Sequence, residues 1–438
     1  MGRSQFICQK AGALKGSALI PGDKSISHRA IMLGAIAKGT TIINGFLQGE
    51  DCLATLKAFQ SMGVNIEGPV SQRVIINGVG KDGLVAPKMP IDCGNSGTTI
   101  RLLTGLLAGQ SFDSTLVGDA SLTKRPMERV SKPLTVMGAE IITNNGCPPV
   151  TIRGGQKLHG IHYKMPVASA QVKSAILLAG LYAEGETSVS EPTLTRDHTE
   201  RMLTAFSYPI RKTEHTVTIS PDHELIGTDI IVPGDISSAA FFMVAASIIP
   251  GSDITLKNIG LNPTRTGVIE ILQSMGASLD IINKRLCGEE PVADLRVRYA
   301  PLEGVDIPAS LVPSAIDEFP AIFVAAAAAK GQTLLHGARE LRVKESDRIA
   351  VMVEGLQRMG IECQAFEDGV YIEGGKLQGG EINSYGDHRI AMAFVVAASI
   401  CKHEVTIAHA ESVRTSFPQF QSIATSLGMH VTEENRDG

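Results

Sequence analysis

Cationic side chains in this 438-residue chain gather beside Ser, Thr, Gly or Asn in short clusters, a composition suited to gripping anions. Lys24, Ser25 and Arg29 lie in PGDKSISHR; Asn95, Gly97, Thr98 and Arg101 lie in GNSGTTIR; Asp387, His388 and Arg389 lie in GDHR. Arg125 precedes Pro126, which biases it towards extended backbone and lets it reach across a cleft. Lys344 and Arg348 flank Glu345 in RVKESDR; on a helix they share one face, as a salt-bridge stripe or as a phosphate clamp with an acid beside it. Asp317 and Glu318 begin an otherwise apolar helix, where an acid either complements the helix dipole or serves as a base. Guanidinium groups hold phosphate and carboxylate through two parallel hydrogen bonds, and carboxyls move protons, so the set suits chemistry on anionic substrates. PGDKSISHR is not a nucleotide-binding loop, because Gly and Lys are not adjacent and the upstream Gly is missing. Taken singly, each cluster also reads as a capped helix, a solvated loop or a hydrogen-bonded histidine.

Position within a repeat is what separates these readings. A polar cluster, a helix of small apolar residues, a turn and a β-rich run recur six times, from Gly22, Gly94, Ala168, Gly234, Ile316 and Gly386. The turn glycines Gly39, Gly109, Gly185, Gly251 and Gly331 are spaced by roughly 65 to 80 residues, enough for one small α/β unit each. Nearly every cluster falls where its helix begins, the end whose unpaired N–H groups and dipole favour anions. Solvated charges would not share one phase of a repeat.

A second, amphipathic helix follows in each copy and ends at a Met-Gly or Leu-Gly pair, except in the third, which has Ser207 and Tyr208. A helix apolar on most faces must be surrounded by protein. The expected fold is therefore α/β: a two-domain inside-out α/β barrel of six βαβαββ-type repeats, three per domain. Two similar turns, IPGDKS and VPGDIS, mark the crossings. They predict a discontinuous domain of residues 1–22 and 235–438, a middle domain of residues 23–234, an active site in the interdomain cleft, and a two-strand hinge that closes on binding.

A net charge of −5 argues against bulk nucleic-acid binding. Seven scattered cysteines without a CxxC pair read as reduced thiols, with neither disulfides nor zinc, in a cytoplasmic setting. No secretory signal is recognised, Phe6 stands where myristoylation needs Ser or Thr, and apolar runs are too short to span a bilayer. No metal or organic cofactor is expected.

PGDKSISHR, GNSGTTIR, KRPMER, ASAQVKS, RVKESDR and GDHRIAMA, in this order from about Pro21 to Pro418, resemble the signatures of the EPSP synthase (3-phosphoshikimate 1-carboxyvinyltransferase) family. Ser169, Ala170 and Gln171 resemble its class II bacterial branch. The resemblance implies transfer of the enolpyruvyl group of phosphoenolpyruvate to the 5-hydroxyl of shikimate 3-phosphate, in aromatic amino-acid biosynthesis. It implies that Lys24, Gly97, Arg125, Lys344, Arg348 and Arg389 hold phosphoenolpyruvate. Shikimate 3-phosphate would fall to Lys24, Ser25, Arg29, Ser169, Gln171, Arg196, Asp317 and Lys344. Asp51, Asn95, Thr98, Arg101 and His388 would support them.

On this resemblance Asp317 is the base and Glu345 the acid, with Lys24 stabilising charge; flanking Lys344 and Arg348 oppose a proton on Glu345. Ala170, Thr415 and Glu340 depart from the commoner Ser, Lys and Asn, and Arg414 beside Thr415 points elsewhere if its segment is extended. Gly97, where some tolerant relatives carry Ala, implies competition by glyphosate. A monomer is expected. Two other functions fit the repeat: enolpyruvyl transfer to UDP-N-acetylglucosamine, whose enzymes carry a loop Cys absent from DASLTKRPMER, and a non-catalytic anion-binding scaffold.

Overall fold

The computed structural model describes residues 3–436. The six apolar segments form the helices Lys24–Ile36, Gly97–Ala108, Ala170–Gly180, Ile236–Ile248, Phe319–Ala328 and His388–Ala398. Their sequences offer no polar face, and nearly every residue in them is buried. Asp23, Ser96, Ser169, Asp235 and Asp387 cap five of them, each side chain accepting a hydrogen bond from a backbone N–H of the first turn.

Six four-stranded sheets accompany these helices. In every sheet an edge strand pairs in parallel with the strand that follows a buried helix, and two antiparallel strands complete the order. The mixed α/β architecture is the inside-out barrel expected from the repeat, with the buried helices at the centre of each unit and the sheets outside.

The chain divides into two compact units: residues 1–21, 233–286 and 290–438 form one, and residues 22–232 with 287–289 form the other. At the crossings, two edge strands are exchanged. Lys15–Leu19 precedes the first buried helix but pairs with Asp253–Gly260, which follows the fourth; Asp229–Ile231 precedes the fourth but pairs with Lys38–Asn44, which follows the first. The last sheet is closed by the N-terminal strand, Arg3–Gln9, between Val405–Ala408 and His430–Arg436. Each unit has its own continuous apolar core.

The outer helices end as the sequence implies. Gly63, Gly138, Gly276, Gly360 and Gly428 take positive φ, and in the third repeat Ser207 occupies the same left-handed position at φ 60°. No helix among the described residues is long and apolar enough to cross a membrane. Among the described residues no disulfide joins any of the seven cysteines.

Small residues set the spacing of the central helices. A Cβ on Gly105 would lie 2.1 Å from the carbonyl oxygen of Ala175, so Gly97–Ala108 and Ala170–Gly180 touch backbone to backbone there. Gly105→Ala is expected to destabilise the fold by about 1–3 kcal/mol through overpacking. A urea-unfolding midpoint equal to that of the parent protein would contradict this contact.

Candidate active site

In the unit of residues 22–232, three helix starts meet at one end. Gln171 Nε2 donates to Thr98 Oγ1 at 3.2 Å, and Arg101 Nη1 donates to Gln171 Oε1. Arg29, buried, reaches the same group: Nε donates to Thr199 Oγ1 and Nη2 to Ser174 Oγ, both at 2.8 Å, while Nη1 bonds the Ser25 carbonyl at 3.1 Å. Lys24 pairs with Asp51 at 2.6 Å. Arg125 has extended backbone and a buried side chain whose Nη2 donates to Asn95 Oδ1 at 2.8 Å. Gly97 lies directly beneath two guanidinium groups: an added Cβ would stand 3.1 Å from Arg125 Nη1 and 3.4 Å from Arg101 Nη1. Ser169 caps its helix, and half-buried Arg196 lies in the loop before His198–Ala205.

Beneath this cluster runs a buried chain of hydrogen bonds that joins two helix starts. His28 Nδ1 bonds Thr55 Oγ1, Thr55 bonds Thr99 Oγ1, and Thr99 donates to Ser96 Oγ, each at 2.7 Å. Burial, then the positive charges of Lys24 and Arg29, hold the His28 imidazole well below the usual histidine range, so it stays neutral.

The other unit gathers a second polar group around one guanidinium. Arg348 is 1% exposed; its Nε donates to Asp387 Oδ2 at 2.9 Å, its Nη2 to Glu345 Oε2 at 2.7 Å and its Nη1 to Asp317 Oδ1 at 3.3 Å. Burial opposes the charge on Arg348, but Asp387, Glu345 and Asp317 more than offset it and drive its basicity upwards. Asp317 also takes Lys344 at 3.5 Å and Arg389 at 3.9 Å, and its carbonyl accepts from Arg389 Nη1 at 3.1 Å. His388 is buried at the start of its helix. One cation thus fixes the spacing of three carboxyls.

Three local expectations are corrected here. Lys344, Glu345 and Arg348 do not share a helix: Lys344 is extended after a 3-10 turn, and Arg348 opens Arg348–Arg358, capped by Asp347. The buried Asp387 carboxylate draws Arg348 inward instead of leaving a stripe on a helix face. Asp317 and Glu318 precede the helix Phe319–Ala328 instead of occupying its first turn. Glu318 turns into the core, where Ser237 Oγ donates to it and Arg265 approaches at 3.8 Å. Arg414, in the 3-10 segment Ala410–Thr415 and not in an extended one, pairs with Glu433 at 2.8 Å.

Sequence reasoning missed three buried sets: His28 with Thr55 and Thr99, Arg265 with Asp235 and Glu318, and Lys173 with Glu191 and Glu200. A signal for the last existed. Lys173 sits inside an apolar helix that must be surrounded by protein, and a buried ammonium needs a carboxylate.

The family model described as EPSP synthase (3-phosphoshikimate 1-carboxyvinyltransferase) matches residues 8–423. A Legionella pneumophila (strain Philadelphia 1) protein named 3-phosphoshikimate 1-carboxyvinyltransferase is 61% identical over 428 residues, spanning 98% of this chain and 99% of its own. One of the same name from Alkalilimnicola ehrlichii is 59% identical over 436 residues, spanning 99% and 98%. The solved EPSP synthase of Acinetobacter baumannii superposes with a TM-score of 0.88 at 55% identity, covering 99% of this chain and 100% of that one. The enolpyruvyl transferase NikO of Streptomyces tendae shares the fold, with a TM-score of 0.80 at 14% identity over the whole of both chains.

The neutral His28 gives a signed pH dependence. Its folded-state affinity for protons is depressed, so below about pH 6.5 the unfolded chain binds a proton that the folded chain refuses. Stability contributed by this group is complete above that pH and is lost as pH falls, by up to about 1.4 kcal/mol per unit. Urea titrations between pH 7.5 and 5 should show a shallower loss in His28→Asn than in the parent; parallel curves would disprove the assignment.

Proposed function

Since this chain belongs to the EPSP synthase family, we propose that it transfers the enolpyruvyl group of phosphoenolpyruvate to the 5-hydroxyl of shikimate 3-phosphate, releasing phosphate. The observation that carries the mechanism is Arg348 spanning Asp317 and Glu345, a fixed pair of carboxyls among Lys344 and Arg389. Asp317 removes the hydroxyl proton, the oxygen bonds to C2 of phosphoenolpyruvate, and Glu345 protonates the methylene carbon. The tetrahedral intermediate then returns a methyl proton and expels phosphate, restoring the double bond. Lys24 stabilises the developing charge.

In this reading Lys24, Arg125, Lys344, Arg348 and Arg389 bind phosphoenolpyruvate over Gly97. Ser25, Arg29, Ser169, Gln171 and Arg196 bind shikimate 3-phosphate, with Lys24, Asp317 and Lys344. Asp51 already holds Lys24, Ser174 holds Arg29 and Asn95 holds Arg125, so less side-chain entropy is lost when the substrates arrive. We read the protein as a cytoplasmic monomer without metal or organic cofactor; seven cysteines outside any disulfide suit a reducing compartment. Transfer to UDP-N-acetylglucosamine has no observation in its favour.

Phosphate should be released from phosphoenolpyruvate with shikimate 3-phosphate and not with UDP-N-acetylglucosamine. In the same assay Glu345→Gln should lower kcat by about 100-fold or more, the size expected for a lost general acid, with shikimate 3-phosphate affinity unchanged. Undiminished turnover would remove Glu345 from the mechanism. Gly97 leads to a separate expectation. Glyphosate should compete with phosphoenolpyruvate, and Gly97→Ala, whose methyl presses on Arg125, should raise its inhibition constant by about tenfold or more. Parent protein indifferent to millimolar glyphosate would refute this.

A further inference from the structure

Lys173, Glu191 and Glu200 form an ionic knot at 2–3% side-chain exposure, outside the substrate-binding set. The Lys173 ammonium bonds Glu191 Oε1 and stands 2.7 Å from Glu200 Oε1. Stability alone is a poor reason for such a knot, since well-packed apolar residues of similar volume commonly do as well. Its connections suggest another reason. Glu191 and Glu200 bound the segment that carries Arg196, so one cation clamps that segment at both ends.

Glu191 also closes the segment from within. Its Oε2 accepts from the Thr195 backbone N–H at 2.7 Å, and its Oε1 from Thr195 Oγ1 at 2.9 Å, immediately before Arg196. Asp197, on the other side, pairs with Arg201 at 2.9 Å and Lys212 at 3.2 Å. The clamp is built on the helix that Ser169 caps, and the neighbours of its members, Ser174 and Thr199, hold Arg29. Arg29, Ser169 and Arg196 therefore share one frame.

We propose that the Lys173–Glu191–Glu200 knot is a positioning device that fixes Arg196 against the phosphate of the acceptor substrate. This rests on the reading that Arg196 binds shikimate 3-phosphate. Lys173, Glu191 and Glu200 touch no substrate; they act through the loop. Loosening the knot should weaken acceptor binding and leave the phosphoenolpyruvate side unaffected.

A double-mutant cycle in the full-length protein tests this, read as kcat and both KM values with a melting temperature for each variant. Glu191→Gln should raise KM for shikimate 3-phosphate by about tenfold, with kcat and KM for phosphoenolpyruvate within about twofold. In an Arg196→Ala background the same change should add less than about twofold, because there is no longer an arginine to position. Thr195→Val, which leaves the three charges in place, should raise the same KM by about threefold and covers the case in which Glu191→Gln does not fold. An equal effect of Glu191→Gln in both backgrounds, a parallel rise in both KM values, or no change would each overturn the proposal. If Arg196→Ala itself leaves KM for shikimate 3-phosphate unchanged, the site reading falls and the positioning role with it. If Arg196→Ala weakens binding and neither Glu191→Gln nor Thr195→Val does, only the positioning role falls.

Discussion

A helix without a solvent face must still start somewhere, and its first N–H groups must find partners. That constraint governs both units of this protein. The three central helices of each unit repeat one arrangement of helix and following strand, and their starts gather at one end. Contacts between the starts show it: Thr98 with Gln171 in one unit, Ser237 with Glu318 and Asp317 with Arg389 in the other. The walls are apolar, so polar residues concentrate where the helices begin.

Charge placed at such an end is only partly solvated and has to be matched. Arg348 illustrates how far this goes, with its guanidinium shared among Asp387, Glu345 and Asp317. Removing one member of such a buried set typically costs about 3–5 kcal/mol, because the remaining charges lose their counterpart. The same matching gives precision. A carboxyl held by a rigid, buried cation has little freedom to drift, and preorganised charge of this kind is what stabilises a transition state. Gly97 contributes by omission: without a side chain, its helix start lets two guanidinium groups lie close above it.

The strand exchange links the two units through covalent continuity. The sheet of the first repeat is completed by Asp229–Ile231, and that of the fourth by Lys15–Leu19. Neither unit is a contiguous stretch of chain, and the last sheet closes only when Arg3–Gln9 joins it. Folding therefore depends on contacts far apart in sequence, a topology that is intrinsically slow to form.

The repeat, the buried helices, their polar starts and the family were legible in the sequence, because apolar periodicity, capping residues and turn glycines act locally. Even the irregular third repeat kept its left-handed helix end, at Ser207. Partner choice was not legible. That Glu318 would turn inward to Ser237 and Arg265 while Asp317 faced three cations depends on which residues of other repeats arrive beside them. The same holds for Lys173 finding Glu191 and Glu200, and for Arg348 leaving the expected helix face to meet Asp387. The sequence determined where charge is placed along each repeat, since that follows from local helix physics; tertiary structure alone decided which charges meet, since a buried ion is stabilised by whatever lies within a few ångströms of it in space.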